Sequence, residues 1–309
     1  MPDPACPAPK QGMPVIREQQ LVLVLGMHRS GTSAWVRALQ VLGFDLGEDL
    51  LPPHPCNPKG FFEDGHIYAF NKALLADTGR RWHSIPIPAA EELLPLAGGV
   101  RGAQALELLR HKLAARPLLG LKDPRMSVLM PFWRPVLAAA GAHVHCLICL
   151  RHPDSVARSL QQRDGMSAEH SHALWLAHTL GAVTGSAGLQ RTLVSYEALL
   201  RAPAQELRRL GTALCRSVNS EEEAVYCSSF LDAGLCHHQA HGEREAAPAP
   251  PGSFARLAQN LHARLCPCNA PPPDLEQPEM TRLFRSLERR CADISPQDFA
   301  TATRQEQNP

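Results

Sequence analysis

Arg29, Ser30, Gly31, Thr32 and Ser33 follow directly on the apolar run 21–25 and on Gly26. A cation, three hydroxyl side chains and two glycines packed into so short a stretch are the ingredients of an anion cradle. Gly26 and Gly31 permit a tight turn, and the N–H groups of Ser30, Gly31, Thr32 and Ser33 would point from a helix N-terminus toward an oxyanion. The spacing fits a Walker A loop through its second glycine. Thr32, however, occupies the position where that motif requires lysine, and the cation stands forward at Arg29. A loop without that lysine lacks the charge that reaches β- and γ-phosphates.

Two further cations occupy equivalent places. Lys122 ends the apolar run 117–121, with Asp123, Pro124 and Arg125 after it, and Arg151 ends the apolar run 143–150. Each follows a predicted strand as Arg29 follows the first, so the cations from three distant parts of the chain would converge at one edge of a sheet. Ser159 lies eight residues beyond Arg151. The planar donors of a guanidinium match phosphate oxygens in a forked geometry.

Arg29-Ser30-Gly31-Thr32-Ser33 resembles the 5′-phosphosulfate-binding loop of the sulfotransferase family. Leu150-Arg151-His152-Pro153, with Ser159, resembles that family's 3′-phosphate-binding segment. The resemblance covers about residues 20–240 and implies 3′-phosphoadenosine 5′-phosphosulfate as donor cosubstrate, no metal, and a hydroxyl-bearing acceptor. Gly26, His28, Arg29, Ser30, Gly31, Thr32, Ser33, Arg151 and Ser159 are then its donor-binding residues. Sulfuryl transfer parallels phosphoryl transfer in needing in-line positioning, charge stabilisation and a base for the acceptor's proton. Lys122-Asp123-Pro124 resembles the segment that supplies a catalytic lysine in tyrosylprotein sulfotransferases, which makes Lys122 and Arg29 the candidate catalytic cations. Asp123 is read either as a partner of Lys122 or as a helix cap, and Arg125 either as a donor contact or as a brace for the loop.

Two glutamates compete for the role of base. Glu48 follows the loop at the interval of the base in bacterial trehalose-type and tyrosylprotein sulfotransferases. Glu63 closes Asn57-Pro58-Lys59-Gly60-Phe61-Phe62-Glu63-Asp64, which resembles a segment of uncharacterised bacterial sulfotransferases with this loop. Glu63 and Asp64 also fall where acidic residues favour a helix start. The chain departs from the cytosolic small-molecule enzymes of the family, which carry lysine in the loop and a catalytic histidine in a later segment. Here the loop has Arg29, no histidine takes that role, and His28 is read as part of the loop's packing. The competing readings are a P-loop kinase or NTPase and a non-catalytic nucleotide-binding regulatory protein.

The elements that must hold these groups can be read from periodicity. Trp35, Ala38, Leu39 and Leu42 fall at helical spacing after the loop and would pack on the sheet. A proline-rich loop over 44–60 follows, then helices over 63–77 and around 106–113, with 82–99 read as irregular. Helices are predicted through 129–140, from Pro153 past Val156 and Leu160, over 174–180, and over 207–214, with a strand at 191–194. Strands alternating with helices predict an α/β, three-layer P-loop-like fold with a mainly parallel central sheet, its ligands beyond the strands' carboxyl ends. The expected organisation is a flexible segment 1–19, an α/β domain 20–245, and a partly disordered, proline-rich appendage 246–309 with one modest helix at 283–290.

At 309 residues, 44% hydrophobic and 20% charged, the chain is ordinary for a soluble globular protein, and a formal charge of +1 gives no general pull toward nucleic acid or anionic membrane. Residues 1–20 are polar and proline-rich, and no apolar run reaches the roughly 18 residues of a membrane span, so a cytoplasmic protein without an anchor is expected. Oligomeric state leaves no mark on the sequence. The ten cysteines form no framework. Cys146 and Cys149, three apart on a strand, would face opposite ways and serve as buried packing. Cys266-Pro267-Cys268 is read either as a redox-active, oxidation-prone pair or, in preference, as a chance occurrence, and Cys236, His237, His238 and His241 as a polar helix end rather than a metal site.

Overall fold

Alternation along β1 (Gln20–Leu25) creates the layers: Leu21, Leu23 and Leu25 enter one core and Val22 and Val24 the other, all fully buried. A strand apolar on both faces must be covered on both, and each such leucine contributes about 1.5–3 kcal/mol by leaving water. The computed structural model, which describes residues 19–55, 57–231, 249–267 and 273–294, realises this as helices on either side of a parallel sheet.

α1 (Thr32–Val41) leaves the loop and buries Trp35, Ala38 and Leu39 against Val22 and Val24. α2 (Gly65–Asp77) starts at Asp64, whose Oδ1 accepts from the N–H groups of His66 and Ile67. α3 (Ala90–Gly98) corrects the expectation of an irregular 82–99: Glu92 Oε2 accepts from Ala89 N–H at 2.8 Å, and Leu93 is buried. Pro86, Pro88 and the internal Pro95 obscured that helix in the sequence. α4 (Val100–Ala115) leads to β2 (Leu118–Lys122), and α5 (Met126–Ala140) to β3 (His143–Leu150). α6 (Pro153–Asp164) and α7 (Ala168–Gly185) precede β4 (Gln190–Ser195), and α8 (Tyr196–Arg201), α9 (Pro203–Leu214) and α10 (Ser220–Val225) follow.

The four strands run parallel in the order β2-β1-β3-β4. Register sets the ends level: Val24 is opposite Lys122, Leu25 opposite Ile148, and Leu150 opposite Ser195. The segments that follow all four strands therefore meet at one edge. Cys146 and Cys149 go to opposite faces, one in each core. Burial pushes the Cys146 thiol up to about 12.

Beyond residue 245 the described residues hold two helices where one was expected. α11 (Phe254–Leu265) and α12 (Pro278–Ala292) bury Phe254, Leu261, Leu265, Phe284 and Leu287 in the same core as α5 and α7. Apolar residues at helical spacing carry both, and the flanking prolines disguised the first. The cluster Cys236 to His241 and Cys268 lie outside the described residues. No described helix is long and apolar enough to cross a membrane.

Candidate functional site

The loop between β1 and α1 is held from three sides. From below, Gly26 N–H donates to Ser127 Oγ at 2.8 Å, which ties the loop to the first turn of α5. Gly26 has φ +146°, and a Cβ there would lie 2.7 Å from the Cys149 carbonyl oxygen. At the other end Gly31 has φ +80°, and its Cβ would lie 2.3 Å from Tyr196 Cδ2. Only glycine meets both demands at these two positions. Arg29 also takes the left-handed conformation, at φ 69°.

No side chain caps the N-terminus of α1, as at α4, α5, α9 and α12. The first-turn N–H groups of Thr32 and Ser33 have no acceptor within the helix, and the helix dipole adds positive character there. Ser30 Oγ is buried without a hydrogen-bond partner. A buried hydroxyl of this kind costs free energy unless a group outside the chain meets it. Uncapped amides, an orphaned hydroxyl and glycines at both ends together fit an oxyanion held by the loop.

On one flank, Arg29 Nε donates to Ser159 Oγ at 2.8 Å, and Arg151 Nη1 donates to the Arg29 carbonyl at 2.9 Å. The Arg151 guanidinium lies over the Tyr196 ring, 4.9 Å from its centroid. Three residues that sequence reading assigned to two separate segments thus form one connected basic corner. Tyr196, which that reading missed, supports Arg151 and closes on Gly31. Its position directly after β4, at the same edge as the other groups, was the available signal.

The other flank holds a buried cluster of charges. Lys122 Nζ donates to Glu63 Oε1 at 2.6 Å, with both side chains nearly inaccessible, and Arg125 Nη1 lies 3.4 Å from Glu63 Oε2 and 3.0 Å from Asp123 Oδ1. Asp123 Oδ1 also accepts from the Arg125 N–H at 2.9 Å and its Oδ2 from Asn71 Nδ2 at 2.9 Å, and Asn71 in turn accepts from Trp133 Nε1 at 2.9 Å. Asp123 therefore partners Arg125 and Asn71 rather than Lys122. Burial opposes the charge on Arg125, and Asp123 and Glu63 beside it outweigh that and raise its pKa. Asp64 takes the helix-capping role, which leaves Glu63, one residue earlier, turned toward the cations.

Glu48 stands apart from these groups. Its carboxylate is exposed and pairs with Arg116, which lies before the N-terminal end of β2, and Asp45 reaches the same arginine at 2.8 Å.

His28 packs its ring on Trp82, with centroids 4.4 Å apart, and faces His178 at 6.1 Å. Burial, then the cations Arg125 and Arg163, hold its pKa well below the ordinary value. His178 is lowered to about 4 by burial, against hydrogen bonds with the carbonyls of Trp82 and Pro124. Both rings are therefore neutral near pH 7 and form an uncharged wall beside the charged cluster.

No protein-family model matches the chain, and no curated protein matches it. Among solved structures, it is similar to the sulfotransferase domain from the curacin biosynthetic pathway, with 18% identity and a TM-score of 0.41, over 86% of this chain and 96% of that one. It is also similar to the sulfotransferase domain from the Synechococcus PCC 7002 olefin synthase, with 15% identity and a TM-score of 0.37, over 87% and 94% of the two chains.

Proposed function

We propose that this chain is a sulfotransferase that moves a sulfuryl group from 3′-phosphoadenosine 5′-phosphosulfate to a hydroxyl of a carbohydrate, lipid or protein acceptor. The observation that carries this reading is the junction of the loop with the Arg151 segment, through Arg29 to Ser159 at 2.8 Å and Arg151 to the Arg29 carbonyl at 2.9 Å. A donor that carries a phosphosulfate on the 5′-oxygen and a phosphate on the 3′-oxygen of one ribose needs two neighbouring anion sites, a sugar's width apart, and these contacts join two such sites. The α1 N-terminus with Ser30 serves the first, and Arg151 with Ser159 serves the second. An ATP-binding loop would need a lysine where Thr32 stands.

In the reaction the acceptor oxygen attacks sulfur, an acceptor O–S bond forms, and the S–O bond to the 5′-phosphate breaks. The electron pair of that bond stays on the phosphate oxygen, and the acceptor's proton passes to a base. We assign the base to Glu63, because its carboxylate lies with Lys122 beside the loop, and the charge-stabilising cation to Lys122. Before donor binds, Lys122 is neutralised by Glu63. The incoming phosphosulfate competes for that ammonium, which frees a Glu63 oxygen for the acceptor's hydroxyl. Arg125 keeps its hold on the carboxylate and orients it.

Calorimetric titration with adenosine 3′,5′-bisphosphate, set against ATP and AMP, tests the donor site in the wild type, Arg29→Ala and Arg151→Ala. Selective binding of the bisphosphate that weakens in both variants is expected. Preference for ATP, or indifference to both substitutions, refutes the reading, and tight bisphosphate binding with no sulfation across an acceptor screen points instead to a regulatory nucleotide-binding protein.

A further inference from the structure

The segment Arg151 to Asp154 carries the arginine proposed for the 3′-phosphate into α6, and it is gripped at four points. Trp175 Nε1 donates to the Arg151 carbonyl at 3.0 Å, and His152 N–H donates to Glu197 Oε1 at 2.9 Å. His172 Nε2 meets Asp154 Oδ1 at 2.8 Å. The fourth grip comes from the C-terminal part of the chain: Gln259 Nε2, on α11, donates to both Asp154 oxygens, at 3.2 and 3.0 Å. One turn further along α11, His262 sets its ring 5.2 Å from that of His152 and 6.1 Å from that of Trp175.

The chemistry of these contacts suits holding rather than titrating. Burial opposes the Asp154 charge, and the bonds from His172 and Gln259 outweigh it and lower its pKa, so the carboxylate stays ionised as an acceptor. Burial, with His152 next to it, lowers His262 to about 4, and its Nε2 has no partner. It works as a neutral ring wedged between Trp175 and His152.

We propose that α11 is a structural part of the 3′-phosphate end of the donor site, with Gln259 and His262 as positioning residues that set Arg151 through Asp154, His152 and Trp175. This rests on the sulfotransferase reading of Arg151. Gln259 fixes the first turn of α6, and the His262 ring backs the indole that holds the Arg151 carbonyl. Loss of either leaves Arg151 in place but loosens its direction, which weakens a bidentate grip more than a point charge would suffer.

The test uses the full chain with Gln259→Ala, His262→Ala, His262→Phe and the near-isosteric Gln259→Glu, which sets a carboxylate against Asp154. Each variant is titrated with adenosine 3′,5′-bisphosphate and with adenosine 5′-monophosphate, after circular dichroism has established that it is folded. Gln259→Ala, Gln259→Glu and His262→Ala are expected to weaken the bisphosphate by about fivefold or more and to leave the monophosphate within about twofold. His262→Phe, which keeps an uncharged ring, is expected to retain wild-type selectivity. Equal weakening of both nucleotides overturns the proposal. So does unchanged selectivity in these variants while Arg151→Ala loses it, and in that case the sulfotransferase reading survives. A wild type that shows no preference for the bisphosphate overturns both.

Discussion

The Lys122–Glu63 pair offers a sharp test, because stability and turnover should fall together in each single variant and part only in the double variant. Both side chains are almost inaccessible, and Nζ and Oε1 are 2.6 Å apart. Lys122→Met leaves Glu63 with only the longer 3.4 Å contact to Arg125, and Glu63→Gln leaves a buried ammonium without its counter-charge. Stranding one partner of a buried pair costs about 3–5 kcal/mol, whereas replacing both by neutral groups of similar size is often close to neutral. The double variant Lys122→Met/Glu63→Gln should therefore be more stable than either single variant, with a coupling of at least about 2 kcal/mol between the sites. Arg125 keeps Asp123 as a partner throughout, so it adds little to the cycle. Urea unfolding of all four proteins measures the coupling, and transfer of labelled sulfuryl group measures turnover. Turnover should fall in both single variants and stay down in the double, since neutralising the pair restores the fold but supplies neither base nor cation. Additive stabilities, within about 0.5 kcal/mol, would show that the two charges do not share a desolvated contact. Turnover recovered in the double variant would remove both residues from the chemistry.

Three further outcomes are expected. Gly31→Ala, at φ +80° and with a Cβ 2.3 Å from Tyr196 Cδ2, should lose about 1–2 kcal/mol from the backbone and about 1–3 kcal/mol from displacing the ring. Unchanged stability and donor affinity in that variant would mean that Tyr196 does not close on the loop. Glu48→Ala should retain turnover, since that carboxylate is exposed and tied to Arg116 rather than to Lys122 or Arg125, and a loss matching Glu63→Gln would reverse the assignment of the base. Acid should destabilise the fold between about pH 6.5 and 4. His178 and His262 are lowered from 6.5 to about 4 in the folded chain, so the unfolded chain binds more protons in that window. Their contribution is complete above pH 6.5 and is lost as pH falls through 4, with an uptake of about two protons by these two rings on unfolding near pH 5, to which His28, also held well below its ordinary value, adds. A flat stability profile across that window would show that neither ring is buried uncharged.

What the sequence by itself determined is local. The strand, the glycine-punctuated loop and the amphipathic helix after it are contiguous from residue 20 to 41, so type and spacing alone predict a phosphate cradle at a strand end. The same holds for β3, whose apolar run matches its observed bounds, and for Pro153 in the first turn of α6. Those repeating strand–helix units were enough to predict the parallel sheet. Tertiary structure decided which groups meet. Glu63 and Lys122 are 59 positions apart, and Arg29 and Ser159 are 130 apart. No periodicity encodes such pairings, because they depend on strand order and register rather than on neighbours along the chain. Sequence left Glu48 and Glu63 as equal candidates, since each is a glutamate in a plausible loop. The fold gives them different partners: with Asp64 as the helix cap, Glu63 pairs with Lys122 and Arg125, while Glu48 is exposed and pairs with Arg116. The role of α11 was hidden for a similar reason: Gln259 and His262 look like ordinary surface residues of an isolated helix. Only docking across α6 and α7 brings them against Asp154 and Trp175, because a contact between distant segments exists only once the core that joins them has formed.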